Sequence, residues 1–324
     1  MHRRRYLVLA GTALLAGCPS LDGGDETPTA TATETPTETA PSTATPTETA
    51  TATDTETQTE TATETPEGPQ NPAQALRHAR EGVATALDRY LAQGGDAASI
   101  NAVGPATRSF EADPIQEALD DAIAPLGLAD ESGREEQQRD AAELRTASEW
   151  LRTAATMQAG MSSTVGGVEQ VGTAVADREA YDAIVEEIEA ARAPIQTVLD
   201  AKPTLDRPGP RTFKQVDGIN RDVADEKHYQ LHREAVGFES FDSVLEDTVR
   251  EVRRLETASE YIAEDEADNA ENAAERADSQ LNGLRRRARD LSPESFAAVA
   301  DVYSATIDEL QGLAAELVDE AEDL

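Results

Sequence analysis

From Asn71 onward, apolar residues return every three to four positions, and no stretch alternates convincingly at period two. That spacing admits amphipathic helices and leaves no strand to be expected. Asn71-Pro72 supplies an N-cap and a first-turn proline, after which Leu76, Ala79, Val83, Leu87 and Leu91 share one face. Asp113-Pro114 opens a second helix carrying Ile115, Leu119, Ile123 and Leu126. A longer one is predicted from about Glu135 through Leu144, Trp150, Leu151 and Met157, and Asp177 opens the next, through Tyr181, Ile184, Ile188, Ile195 and Leu199. Between those two, the small and polar residues of Gly160–Gly172 read as a connection. Lys202-Pro-Thr-Leu-Asp-Arg-Pro-Gly-Pro210 cannot continue a helix and is the expected central hinge. A short helix from Phe213 to Ala235 follows. Then comes the stripe Phe241, Val244, Leu245, Val249, Val252, Leu255 and Ile262, predicted to run on to Leu284 with a bend in the polar stretch Asp265–Asn272. Ser292-Pro293-Glu294 caps the last helix, whose face is Phe296, Val299, Tyr303, Ile307, Leu310, Leu313 and Leu317.

The octapeptide Leu144-Arg-Thr-Ala-Ser-Glu-Trp-Leu151 returns as Leu255-Glu-Thr-Ala-Ser-Glu-Tyr-Ile262. Tyr181 and Phe296 then sit at matching places in the helices that follow. The predicted fold class is therefore all-α: an antiparallel helical bundle with an internal duplication, its halves at 73–201 and 213–324.

Residues 18–72 form a different segment. Between residues 27 and 66 there are 19 threonines, interleaved with Pro, Glu and Ala and with no aromatic or large aliphatic residue. Such a tract cannot bury enough apolar surface to offset the entropy of ordering it, so a disordered stalk is predicted, open to O-glycosylation. Extended at about 3.1 Å per residue, it would reach on the order of 120 Å.

Ahead of it, Arg3, Arg4 and Arg5 precede a ten-residue apolar run, Leu7–Ala16, too short to span a bilayer that needs about 20 residues. A charged start, a short apolar run and small residues describe a signal peptide, here 1–17. Leu15-Ala16-Gly17-Cys18 resembles a lipobox, which implies lipidation of Cys18, the chain's only cysteine, and a membrane anchor on the extracellular face. Arg3-Arg4-Arg5-Tyr6-Leu7 resembles a twin-arginine export signal, with Arg3 and Arg4 as its pair; such signals are addresses read by a receptor.

The chain carries 64 acidic and 28 basic residues, a net charge of −36, and only three of the basic residues are lysines. This balance resembles the proteins of salt-loving archaea. Self-repulsion of that size opposes compaction in dilute buffer. It also excludes nucleic acid as a partner, since one polyanion repels another.

Few residues point to chemistry. His228-Tyr-Gln-Leu-His232 puts two imidazoles one turn apart, with Asp225 on the same side, a candidate metal pair that lacks the usual four ligands of zinc. His78-Ala-Arg-Glu81 resembles the His-x-x-Glu of imelysin-like proteins, which are also exported, helical and duplicated. Arg285-Arg286-Arg287 with Arg289 is the densest basic cluster and is expected to pair with the acidic segment before it. No His-Glu-x-x-His, Gly-x-Ser-x-Gly, phosphate-binding glycine loop or Cys-x-x-Cys occurs. No catalytic residue and no cofactor are assigned, and an enzyme is not the favoured reading. The expected function is a lipid-anchored surface protein presenting its bundle to another envelope protein or a small ligand. The alternatives are metal binding through His228 and His232, or a passive spacer. A polar pocket in the bundle core separates the first reading from the spacer.

Overall fold

Asn71 caps the first helix as its side chain accepts the Gln74 N–H at 3.0 Å, and Asn220 does the same for Val223 at the start of the longest helix. The computed structural model describes residues 68–95, 97–291 and 296–324. The signal segment with Arg3 and Arg4, Cys18, most of the threonine-rich stalk and the Ser292–Glu294 cap lie outside the described residues. Among those described the helices are α1 (Pro72–Gln93), α2 (Asp113–Ile123), α3 (Gly127–Ser132), α4 (Glu135–Ala176), α5 (Tyr181–Ala201), α6 (Arg221–Ala263), α7 (Ala267–Arg289) and α8 (Ala297–Glu322). None of the described residues is in a strand. The chain is an all-α antiparallel bundle.

Helices α4 to α8 follow one another side by side, and α8 returns against α4. Side-chain pairs give the directions. Asp182 with Arg253 and Arg192 with Asp242 make α5 and α6 antiparallel; Asp278 with Gln311 and Arg285 with Asp308 do so for α7 and α8. An odd number of alternating helices must close through a parallel pair. Accordingly Thr306 of α8 donates to the Val168 carbonyl of α4 at 3.2 Å while Glu316 pairs with Arg178 just beyond it. Helices α1 to α3 lie against α4.

Three sequence expectations change. First, Gly160–Gly172 is no connection but lies within α4, which runs for 42 residues. A Cβ on Gly160 would come within 2.7 Å of Val198 Cγ2, and one on Gly167 within 2.8 Å of the Ala191 backbone. These glycines let α5 approach, and packing overrides their low helix propensity. Asp177 consequently ends α4, and α5 starts at Tyr181. Second, the predicted helix 213–235 and the stripe after it are one helix, α6, starting at Arg221 and running for 43 residues. Third, α6 does not bend toward Leu284 but stops. Asp265 takes a left-handed φ of 60°, the Glu266 N–H returns to the Tyr261 carbonyl at 2.9 Å, and α7 runs back along α6.

The expected hinge at 202–210 joins two segments of one core. Leu205, Phe213, Val216 and Ile219 are buried in the same apolar cluster as residues from every long helix. Phe213 meets Trp150 edge to face at 5.2 Å. Phe238 and Phe241 of α6 interlock with Phe296 and with Tyr303 of α8, and the Tyr303 hydroxyl bonds Thr248 at 2.7 Å. In the two echoed octapeptides, Leu144, Ala147 and Leu151 are buried, as are Leu255, Ala258 and Ile262. Yet α4 continues to Ala176 after its copy, whereas α6 ends at Ala263, directly after its own.

Candidate functional site

Between α1 and α2, the described residues from Gly94 to Ala112 include one short 3-10 turn and otherwise no regular structure, so their inward-facing carbonyls need partners from elsewhere. Two side chains with no solvent exposure donate to them, Gln158 of α4 and Lys227 of α6, and the equally buried Glu234 of α6 lies beside them. Lys227 Nζ donates to the Val103 carbonyl at 2.5 Å and to Gln158 Oε1 at 3.3 Å. Gln158 Nε2 donates to the Gly104 carbonyl at 2.7 Å. Gln230 Nε2 bridges the Val103 carbonyl at 3.3 Å and Glu234 Oε1 at 3.0 Å. Further along, Ser162 Oγ donates to the Thr107 carbonyl and accepts the Phe110 N–H.

The electrostatics follow from burial. Removal from water lowers the Lys227 pKa to about 8, while Glu234, two turns on along the same face, pulls the other way. Tyr90 places its ring 5.9 Å from Lys227 Nζ; burial and then Glu234 push its phenol well above the ordinary value. Its hydroxyl is buried with no hydrogen-bond partner among the described residues.

Over this cluster opens a cleft of about 520 Å³, lined by Gln93, Gly94, Gly95, Ala102 and the run Gly104–Arg108. Gly104 lines the cleft while its carbonyl binds Gln158, so one layer of backbone separates the opening from the buried lysine. Arg108 stands at the rim, held by Glu169 at 2.8 Å. The arrangement can accept a small ligand against a backbone surface whose far side is anchored by charge.

The sequence-predicted residues lie elsewhere. His228 and His232 are half-buried, with ring centroids 4.4 Å apart. His232 Nε2 sits 3.3 Å from the Leu205 carbonyl. Burial, and next to it His232, lower the His228 pKa against the pull of Asp225. Asp225 is held in a two-pronged pair by Arg207 at 2.9 and 2.7 Å, which keeps its carboxyl below the ordinary range. Among the described residues no group of three or more His, Cys, Asp or Glu is placed to hold a metal. His78 and Glu81 are both exposed on α1. Arg285 and Arg287 pair not with the acidic segment before them but across to Asp308 of α8 and Asp247 of α6.

Lys227 was missed although the signal was present. It is one of three lysines, and it falls in the apolar stripe Ala224, Leu231, Ala235, Phe238, Phe241 of α6. The chain matches no protein-family model, and no curated protein or solved structure matches it significantly.

Proposed function

We propose that this chain is a lipid-anchored surface protein whose helical bundle serves as a binding module for a small ligand. The observation that carries the reading is the charged cluster of Lys227, Glu234 and Gln158 beneath the 94–108 cleft. A passive spacer has no use for two buried charges, which cost several kcal/mol each unless paired and hydrogen-bonded. The anchor rests on Arg3, Arg4 and Cys18, and no described helix is long and apolar enough to cross a membrane.

Cys18→Ser should release the protein from the membrane or leave it as an uncleaved precursor; cleaved protein still in the membrane fraction rules the lipid anchor out. For the module, unfolding temperature measured across a panel of small extracellular solutes should rise with at least one of them. That rise should vanish in Ala106→Trp, which fills the cleft. A panel without effect favours the spacer. Metal carriage by His228 and His232 is the competing reading. It requires further ligands, and about one zinc per chain, lost when both histidines become alanine, would establish it instead.

A further inference from the structure

The geometry points to a second site, separate from the cleft over Lys227: a pocket between α6 and α7 that takes a phosphate ester bearing hydroxyl groups. In a chain with 64 acidic residues and 28 basic ones, Arg250, Arg253 and Arg254 of α6 and Arg276 of α7 all line a single pocket of about 530 Å³. Among the described residues no carboxylate lines it. The spacing explains the convergence. Positions 250, 253, 254 and 257 lie on one side of α6, positions 272, 273 and 276 on one side of α7, and the helices run in opposite directions. The guanidinium groups therefore gather toward one end of the pocket.

Carboxylates outside the pocket hold the three α6 arginines in place. Asp247 pairs with Arg250 at 3.0 Å, Asp182 and Glu256 with Arg253, and Glu251 with Arg254. Each guanidinium has five N–H donors, so these pairs fix its position and leave donors for a ligand. Arg276 has no carboxylate within ion-pair distance among the described residues, unlike Arg250, Arg253 and Arg254. Its charge is therefore not spent on a neighbouring carboxylate, and it adds to the positive charge of the three α6 arginines. One carboxylate is satisfied by a single two-pronged arginine; several guanidinium groups suit a phosphate ester, whose tetrahedral outer oxygens point in different directions. At the other end stand Thr257, Asn269 and Asn272, neutral groups that donate to and accept from hydroxyls, beside Tyr261. The volume exceeds what inorganic phosphate fills, leaving room for a polyol carried on the ester. Such a group is found on free sugar and glycerol phosphates and on the headgroups of anionic lipids.

The test uses the full chain with Cys18→Ser, so that no anchor lipid confuses membrane binding. Titration calorimetry with glycerol 3-phosphate, against glycerol as the neutral control, is run at about 2 M KCl, where long-range attraction is screened. Flotation with phosphatidylglycerol vesicles, against phosphatidylcholine, forms the second arm. Arg276→Gln and Arg250→Gln should each weaken binding about tenfold, the size expected for a lost charge-assisted hydrogen bond. Both side chains are exposed, so the unfolding temperature should not move. Arg285→Gln, outside the pocket, should bind as the parent does. Binding of glycerol 3-phosphate assigns a soluble ester, and binding of phosphatidylglycerol vesicles alone assigns a lipid headgroup. Binding of neither probe, equal binding of glycerol, or an unchanged affinity in Arg276→Gln overturns the assignment.

Discussion

Lys227 is the residue whose chemistry depends most on its surroundings. Its amine, lowered to about 8 by burial, releases its proton in the folded chain before the unfolded chain does so near 10.5. Between those values the unfolded state holds more protons, so stability climbs with pH. Below about pH 8 the lysine is charged in both states, and the cost of burying it is present in full. The gain approaches about 3 kcal/mol, at 1.36 kcal/mol for each pH unit separating the two values. The tyrosines act in the opposite sense. Burial raises Tyr90 and Tyr303, so above their ordinary value of 10.0 only the unfolded chain ionises them, and stability falls. Urea unfolding should therefore show stability rising from about pH 8 to a maximum near pH 10. In Lys227→Met the climb should disappear. A wild-type stability that is flat over this range would mean that the amine is solvated.

At the scale of the element, α4 shows how a helix carries four glycines in its C-terminal half without breaking. Gly160 and Gly167 face α5, and Gly172 meets Thr306 of α8, where an added Cβ would lie 3.0 Å from Oγ1. Gly166 faces open space, with nothing within 4 Å of its added Cβ. The two neighbours should thus respond oppositely to one substitution. Gly166→Ala should stabilise by about 1 kcal/mol, the difference in helix propensity. Gly167→Ala drives a methyl into the Ala191 backbone and should destabilise by about 1–3 kcal/mol, as overpacking does. Thermal unfolding of both variants decides the matter. Equal effects of one sign would show that α4 and α5 do not meet through Gly167. The α6–α7 reversal belongs to this scale too. Nothing in the apolar stripe marks Ala263 as an end, and the break is made by a left-handed Asp265 among polar residues.

For the molecule as a whole, charge sets the conditions of folding. Beyond residue 72 there are 53 acidic and 25 basic residues, a net −28. Like charges three and four positions apart on a helix cost about 0.2–0.5 kcal/mol per pair when unscreened, and tens of such pairs rival a net stability of about 5–15 kcal/mol. The ion pairs of the fold lie largely at its surface, where each contributes about 0–1 kcal/mol. Helical circular dichroism should accordingly be full at about 3 M KCl, where the Debye length is below about 3 Å, and should fall as salt is removed. Equal helicity and equal heat resistance at about 0.05 M salt would contradict this. The sequence alone determined the helices, most of their buried faces and the Asn71 start, because apolar period and caps are local properties read a few residues at a time. Only the tertiary structure decided that Gly160–Gly172 stays helical, that α6 reverses into α7, and that α4 and α8 close in parallel. Each depends on a partner far along the chain: Ala191 for Gly167, Asp247 for Arg287, Val168 for Thr306. The candidate sites were hidden for the same reason. Lys227 is defined by a carbonyl 124 residues away, and an arginine pocket exists only once two helices lie side by side.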